Sequence, residues 1–576
     1  MTKQYTLDDA AFVEARDLAL HDNVSVHRGV HYLVRRASVV LARRRADAQA
    51  NRLNICRDIL LGDLSSLEGT ELAEHYRLAS RKHQHYLLGA LYVLLMPSRR
   101  RQRLAAYFTP PAISEYVVSR LIEFGFDPAV HTALDPACGG AAFLVPIAEK
   151  MFASSEDPKS AADGILGRLT GIEIEPGLAA LSDLLIADAL GKLGTSSSAV
   201  VQRGSALRSP RRGEQYDLIV GNPPYGRVFR PKPELLNAWQ EVITDGHVNT
   251  YSLFVGLSLR LARPGGLVAL LIPTSFTGGP YFSRLRAAIR RVADVIRLDL
   301  IDKRSDEFLD VTQDTCVLFL RRRDDSSSES REAPRSALIG PSGAARELGT
   351  IRLPTTTEGE WVLPEMRDAP RIDDVFSRTH HYTLQDYGYE ARSGYFVWNR
   401  SRDYFENRDV AHEGEVPLIW ANGIRSGQPI EPASRPLSGK LAGAVTFVRI
   451  TSSSVALIRH PSVVLQRTTN RRQPRRLVAG YVNQDLIDVY GGYVTENHTI
   501  VLVPKTLFAP EVTPMQLAAL LSSEVVDGLY RRISGTVSVS TKLLRRLPLP
   551  NPTAYLASLA QTNDTEEAVN RAYAAN

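Results

Sequence analysis

The chain predicts an α/β protein: a doubly wound, largely parallel sheet preceded by a helical segment and followed by a mixed α+β region. Three observations carry this. Between about 101 and 323, short apolar runs alternate with amphipathic stretches, the rhythm of parallel βαβ units. Before that, Leu60, Leu61, Leu64 and Leu67, then Tyr86, Leu87, Leu91, Leu94 and Leu95, recur at helical spacing. After about 350 the βαβ rhythm stops and the chain becomes mixed and basic. The expected boundaries are 1–100 for the helical segment, 101–323 for the α/β domain, 324–350 for a linker and 351–576 for a separate binding domain. The 576 residues agree, since domains run to roughly 150 residues each.

Composition narrows the class. With 44% hydrophobic and 23% charged residues, the chain has the balance of a soluble globular protein. Met1 to Ala10 is polar, without the apolar core of a secretory signal. The longest apolar run, Leu267 to Pro273, has the length of a strand rather than a membrane span. Three distant cysteines, Cys56, Cys138 and Cys316, argue against a disulfide framework and for a reducing compartment. The expectation is a cytoplasmic protein. No Cys-x-x-Cys or His-Glu-x-x-His spacing supports a metal site. A net charge of +6 is mild. Arginines nevertheless bunch at 43–45, 99–103, 471–476, 531–532 and 545–546, a pattern shared by phosphate-contacting surfaces and plain solvated helix faces.

Taken in order, the helical segment carries no recognisable chemistry and reads as a packing platform with some DNA-backbone contact. Tyr107-Phe108-Thr109-Pro110-Pro111 places an aromatic pair and a hydroxyl on a proline-stiffened loop, suited to closing over a ligand or to plain packing. Thr132-Ala133-Leu134 is the first strand. Asp135-Pro136-Ala137-Cys138-Gly139-Gly140-Ala141 follows it, and the glycines let the backbone turn tightly against a ligand before a helix begins. The Gly-Lys-Ser/Thr ending of a P-loop and the GxGxxG fingerprint are both missing. An aspartate before this turn suits a ligand carrying a positive ammonium. Gly171-Ile172-Glu173-Ile174-Glu175-Pro176 ends the second strand; Glu173 is placed to accept both hydrogen bonds of a ribose diol, and Glu175 is expected to face solvent.

The next motif is Tyr216-Asp217-Leu218-Ile219-Val220-Gly221-Asn222-Pro223-Pro224-Tyr225. A buried strand runs through a glycine into two prolines, which stiffen the backbone and remove two amide donors. The result is a rigid loop at the carboxyl end of a strand, where open α/β sheets place ligands. It offers a carbonyl, an amide side chain and an aromatic face, a set that suits a planar molecule with an exocyclic amine. Further strands are expected at 267–272, 295–301 and 316–320. The serine-rich, charged 321–335 reads as linker.

The order Tyr-Phe-Thr-Pro, Asp-Pro-Ala-Cys-Gly, Gly-Ile-Glu-Ile, Asn-Pro-Pro-Tyr resembles the gamma-type N6-adenine DNA methyltransferases of restriction–modification systems, over 101–323 and more loosely to the C-terminus. The resemblance implies a Rossmann-like domain that uses S-adenosyl-L-methionine, with a C-terminal target-recognition domain and double-stranded DNA as partner. A cognate restriction endonuclease is a further possible partner. It assigns cofactor binding to Tyr107, Thr109, Pro110, Asp135, Ala137, Gly139, Glu173 and Ser205. Catalysis falls to Asn222, Pro223, Pro224 and Tyr225, and base stacking to Phe282. Arg467, Arg475, Arg476, Arg531 and Lys542 are candidates for DNA contact. Two positions depart from the family: Ala141 where the loop usually has glycine, and Ser205 where a strand-end aspartate often meets the cofactor's adenine.

In the expected reaction, Asn222 Oδ1 and the Pro223 carbonyl accept the amine hydrogens of a base flipped from the duplex, at a cost of a few kcal/mol. Tyr225 stacks on the base. Two other readings fit the same motifs: methylation of cytosine at N4, and a non-catalytic DNA-binding subunit that keeps the fold. Glutamine methylation in protein is disfavoured by the long basic C-terminal region.

Overall fold

A computed structural model describes residues 26–44, 47–98, 100–101, 109–155, 158–193, 199–208, 213–244, 247–302, 314–324, 330, 332–364, 375–377, 381–397, 405–406, 414–431, 447–451, 453–468, 473, 475–505, 510–534, 538–562 and 564–575. These fall into two units, Met1–Phe276 with Tyr281–Pro364 and Thr277–Pro280 with Glu365–Asn576.

The first unit is built on nine strands: β1 Ala133–Asp135, β2 Leu169–Glu173, β3 Val201–Arg203, β4 Tyr216–Gly221, β5 Ala262–Pro273, β6 Ala293–Ile301, β7 Thr315–Arg322, β8 Arg335–Ile339 and β9 Ala345–Thr350. Their order is β3-β2-β1-β4-β5-β7-β6-β8-β9. Strands β1 to β5 pair in parallel, while β7 runs antiparallel between β5 and β6. This is the expected Rossmann-like α/β fold. The chain moves outward through β1, β2 and β3, then returns to lay β4 beside β1. Its order reverses between β1 and β4, and such switch points open a crevice at the strands' carboxyl ends.

The strand residues sort by parity. Leu218, Val220, Ala269 and Leu271 face one core together with Leu144, Ile147, Leu181 and Leu185. Ile219, Val268, Leu270 and Ile272 face the other, against Phe254, Leu257, Leu285 and Ile289. Both faces of the sheet are therefore covered, which is why β4 and β5 read as unbroken apolar runs rather than alternating ones.

The N-terminal helices Val26–Arg44, Arg52–Leu60, Glu71–Leu78 and Arg81–Leu94 share the first of these cores, through Leu41, Ile55, Leu88 and Leu91. Two buried carboxylates join them to the sheet domain. Asp188 receives Arg81 and His85, each at 2.7 Å. Glu175 receives the Tyr92 hydroxyl at 2.7 Å, Arg52 at 2.9 Å and Arg100 at 3.0 Å. Its carboxylate also caps the helix Pro176–Ala189 by accepting from the Leu178 amide at 2.7 Å. The expectation that Glu175 faces solvent is corrected: it is 2% exposed.

The sheet also extends further than expected. Within the stretch read as linker, β8 pairs parallel with β6, and β9 returns antiparallel against β8. Buried Arg297 on β6 reaches across to Glu347 on β9. Beyond β9, buried Arg286 donates to the carbonyls of Glu358 and Gly359 at 2.7 Å, and Trp361 packs edge-on against Phe276 at 5.3 Å. The first unit thus continues to Pro364, past the expected boundary at 351.

The second unit carries two four-stranded sheets. One has the order β10 (Tyr389–Ser393), β17 (Thr499–Pro504), β14 (Ser462–Gln466), β15 (Ala479–Val482); the other has β11 (Phe405–Glu406), β13 (Phe447–Arg449), β12 (Glu415–Ile419), β16 (Val494–Thr495). The C-terminal helices include Pro514–Leu521, Glu524–Ser534 and Thr565–Ala574. The mixed α+β reading of the region holds.

Candidate active site

The crevice at the switch point gathers the motifs of the first unit. Strand β4 ends at Gly221, and a side chain there is excluded because an added Cβ would lie 2.7 Å from Asp135 Oδ1. The glycine therefore lets the β1 carboxylate and the β4 loop approach each other. Immediately after it, the Asn222 amide is held from both ends. Its Nδ2 donates to Thr109 Oγ1 at 3.2 Å, and its Oδ1 accepts from the Tyr225 hydroxyl at 2.6 Å. The same hydroxyl lies 3.1 Å from the Leu271 carbonyl on β5. Thr109 is 2% exposed, so the motif before the first strand and the motif after β4 meet in the interior.

Asp135 sits at the end of β1 with 1% exposure and accepts the Ala137 amide at 3.0 Å. Burial pushes its carboxyl up to about 8, and the neighbouring Glu173 adds to the rise. Glu173, at the end of β2, is anchored by the Gly139 amide at 3.1 Å and the Glu175 amide at 2.8 Å. Its carboxyl is raised too, by burial, against the pull of those amides. Two desolvated carboxylates side by side favour a cationic guest. S-Adenosyl-L-methionine, with its sulfonium and ammonium, has that character. Glu173 keeps lone pairs beyond the two amides it accepts, so a ribose diol can still bind there.

Gly139 and Ala141 both have positive φ, 54° and 57°. Ala141, an alanine in a loop where glycine is expected, occupies the left-handed region with its methyl fully buried. Beside this loop lies a cavity of about 470 Å³, counting the space open to solvent, lined by Thr109, Gly140, Ala141, Val145, His85 and Glu149 among others. The helix Arg81–Leu94 thereby forms part of a wall near the candidate cofactor loop. Ser205 follows β3 by two residues, and the amide of the intervening Gly204 donates to the Glu173 carbonyl at 2.9 Å. Pro110 holds the N-cap position of the helix Pro111–Glu123, its carbonyl accepting the Ile113 amide at 3.0 Å. Tyr107 lies outside the described residues.

Phe282 is buried and stacks on Tyr251, with centroids 5.5 Å apart. Tyr251 meets Tyr225 edge-on at 6.5 Å and bonds Ser275 at 2.9 Å. Phe282 is therefore linked to Tyr225, at the end of the Asn222 loop, through one intervening ring. Tyr251, on the helix Thr250–Leu261, is the aromatic next to Tyr225. Sequence reading passed it over because it lies in an apolar helical run that gives no reason to single out one ring.

In the second unit the five basic candidates divide. Arg475 pairs with Glu566 at 3.2 Å and Glu524 at 3.6 Å. The Arg531 side chain and the Arg476 amide bind opposite oxygens of buried Asp527 at 2.6 and 2.5 Å. Arg475 and Arg531 are thus paired within the unit, and the Arg476 side chain is buried. Arg467 and Lys542 are exposed. They lie on adjoining segments, since the Val539 amide donates to the Arg467 carbonyl at 2.7 Å. Among the described residues no His, Cys, Asp or Glu cluster could hold a metal, and no helix is long and apolar enough to cross a membrane.

Residues 194–304 match the family described as Eco57I restriction-modification methylase, a stretch that contains β4, the loop and β5. The chain is 27% identical over 362 residues to the type II methyltransferase M.BsuBI of Bacillus subtilis, covering 59% of this chain and 66% of that protein. It is 29% identical over 209 residues to the type II methyltransferase M.TthHB8I of Thermus thermophilus, covering 34% of this chain and 41% of that protein. The chain thus spans less than two thirds of the length of these relatives. Among solved structures, a DrdV–DNA complex aligns with a TM-score of 0.47 at 12% identity, over 98% of this chain and 70% of that one. The type IIG restriction endonuclease BpuSI aligns with a TM-score of 0.41 at 13% identity, over 95% and 73%.

Proposed function

We propose that this chain is a DNA methyltransferase that moves a methyl group from S-adenosyl-L-methionine to the N6 amine of a flipped adenine, as the modification enzyme of a restriction–modification system. The observation that carries the reading is the fixed Asn222 amide at the end of β4. A planar exocyclic amine is a weak nucleophile because its lone pair is delocalised into the ring. Two acceptors that bind its hydrogens draw the nitrogen toward tetrahedral geometry and free the lone pair. Asn222 Oδ1 has two lone pairs. The Tyr225 hydroxyl donates to this oxygen at 2.6 Å, and the entering amine is its second donor in the reaction. The Thr109 hydroxyl, 3.2 Å from Nδ2, holds the other end of the amide. The Pro223 carbonyl is the second acceptor, and Pro224, which cannot donate, stiffens the peptide that carries it.

The cofactor, when bound, supplies a methyl already activated by its sulfonium. The chain's own contribution is then position and electrostatics. Asp135 and Glu173 hold the cationic and ribose ends, and Thr109 and the Gly139–Ala141 backbone line the space between. The match to the restriction-modification methylase family supports DNA as the substrate class. In the second unit, Arg467 and Lys542 are the members of the basic set left exposed for phosphate or base contact.

Transfer of labelled methyl to genomic DNA followed by nucleoside analysis tests this directly. N6-Methyladenine is expected from the native chain and not from Asn222→Ala. N4-Methylcytosine in its place would overturn the base assignment, and product from the Asn222→Ala chain would overturn the mechanism.

A further inference from the structure

Phe229 stands four residues beyond Tyr225 and is 80% exposed. Single exposed apolar residues are ordinary on protein surfaces, but this one is held in place. The Gly226 carbonyl accepts from the Thr250 amide at 2.7 Å and from its hydroxyl at 2.9 Å, and the Val228 amide donates to the Val248 carbonyl at 2.9 Å. Arg227 bridges to Asn249 in the same ladder. The backbone is thus pinned up to the residue before the ring. Immediately after it, Arg230 takes φ 53°, a left-handed turn that non-glycine residues rarely adopt, so Phe229 is presented at a bend.

Charge surrounds it on one side of the sign. Arg227, Arg230 and Lys232 are all exposed, with the Arg227 guanidinium 5.7 Å from the ring centroid. Glu234 is the nearest acidic residue in sequence. An aromatic ring flanked by three cations fits a polyanion with stacked apolar interior faces, which is duplex DNA. Distance agrees as well. Four residues span at most about 14 Å, so the ring stays within that reach of Tyr225.

We propose that Phe229 enters the base stack beside the target as the base swings toward Asn222, with Arg227, Arg230 and Lys232 on the flanking phosphates. The inference rests on the function proposed above. Apolar wedges that part base steps are a general device of DNA-bending proteins. Here the ring would replace stacking that the departing base gives up.

The test uses the full chain and a short duplex carrying the site mapped by sequencing DNA that the native chain has methylated. Phe229→Ala is expected to slow transfer to the matched duplex by about tenfold or more, the scale of one lost aromatic–base stack. On the same duplex with the target adenine opposite an abasic position, where the stack is already broken, the loss should shrink clearly. Phe229→Trp should restore the matched-duplex rate, and 2-aminopurine at the target position should brighten less with the alanine variant than with the native chain. Equal losses on both duplexes, or none on either, would overturn the wedge. A native chain that methylates no DNA would overturn the proposed function and the wedge with it; normal native transfer with an indifferent Phe229 overturns the wedge alone.

Discussion

Tyr225 holds two separable jobs, and its hydroxyl and its ring can be removed one at a time. Tyr225→Phe keeps the ring but deletes the donor to Asn222 Oδ1. The lost hydrogen bond is worth about 0.5–1.5 kcal/mol, so kcat should fall by roughly 2- to 13-fold while DNA KM changes little. Tyr225→Ala removes the ring too and should lose further in both. A Phe variant as damaged as the Ala variant would show that the hydroxyl alone matters. Asp135 gives a second residue-scale prediction. Its folded carboxyl, at about 8, lies above its unfolded value, so the native state holds a proton that the unfolded chain gives up. The associated stability is fully present below about pH 4 and is lost as pH rises through about 8. Denaturant titrations should therefore show Asp135→Asn gaining on the native sequence as pH rises across that window. Cofactor binding at pH 7 should release close to one proton, read from titration calorimetry in buffers of different ionisation heat, and Asp135→Asn should release clearly less. At Ala141, opposing terms nearly cancel. Glycine would relieve left-handed strain of about 1–2 kcal/mol but forfeit a buried methyl worth about 0.8 kcal/mol and loosen the unfolded chain by about 0.4–1 kcal/mol. Ala141→Gly should leave the melting temperature nearly unchanged, whereas Ala141→Val, β-branched at positive φ and overpacked, should cost about 2 kcal/mol or more.

At the scale of elements, the helical N-terminal segment is joined to the sheet domain by polar clamps whose loss should be felt. Burial pushes the Glu175 carboxyl up, yet Tyr92, the Leu178 amide and Arg52 outweigh it and leave it below its ordinary range. Stability from this group is present above the unfolded value near pH 4.3 and is lost as pH falls through the lower folded one. Glu175→Ala strands Arg52 and uncaps a helix. About 3–5 kcal/mol of destabilisation is expected in chemical denaturation, the cost of breaking a buried pair; an effect below 1 kcal/mol would mean the clamp is dispensable. Glu175 also marks a limit of sequence reading. Its place beside Pro176 pointed to a solvent-facing turn, but the partners that bury it lie 75 to 123 residues away in sequence and leave no local trace. The strands that were legible, at Leu218–Val220 and Leu267–Ile272, are covered on both faces, so burial is written as an unbroken apolar run. Those that were not lack that mark. Val201–Arg203 has one buried residue of three, and β9 has none, being held instead by its ladder to β8 and by Arg297. The Asn222 loop was legible because two prolines and a glycine restrict the backbone whatever surrounds them. Its support from Thr109 and Tyr251 depends on long-range packing that no spacing encodes.

For the whole molecule, charge placement decides more than net charge. A formal +6 over 576 residues gives little general attraction for a polyanion, and much of the arginine in the second unit is spent internally. Asp527 takes Arg531 and Glu566 takes Arg475, while the Arg476 side chain is buried. For Arg475 the partner acid Glu566 lies 91 residues downstream, beyond what sequence clustering registers, whereas Asp527 stands four residues before Arg531 on the same helix. Arg467 and Lys542 remain exposed on neighbouring segments, so on the proposed function they carry part of the phosphate contact. Each phosphate neutralised releases condensed counterion and contributes about 0.9 to the slope of log K against log salt. Arg467→Ala and Lys542→Ala should each reduce the steepness of that slope by about that amount and weaken binding to all sequences alike, measured by fluorescence anisotropy on labelled duplexes between low and physiological salt. Arg475→Ala should leave the slope untouched and lower the melting temperature instead, since its partners are carboxylates of its own chain. An unchanged slope in the Arg467 and Lys542 variants, or a flattened one in the Arg475 variant, would reverse this assignment of scaffold and surface.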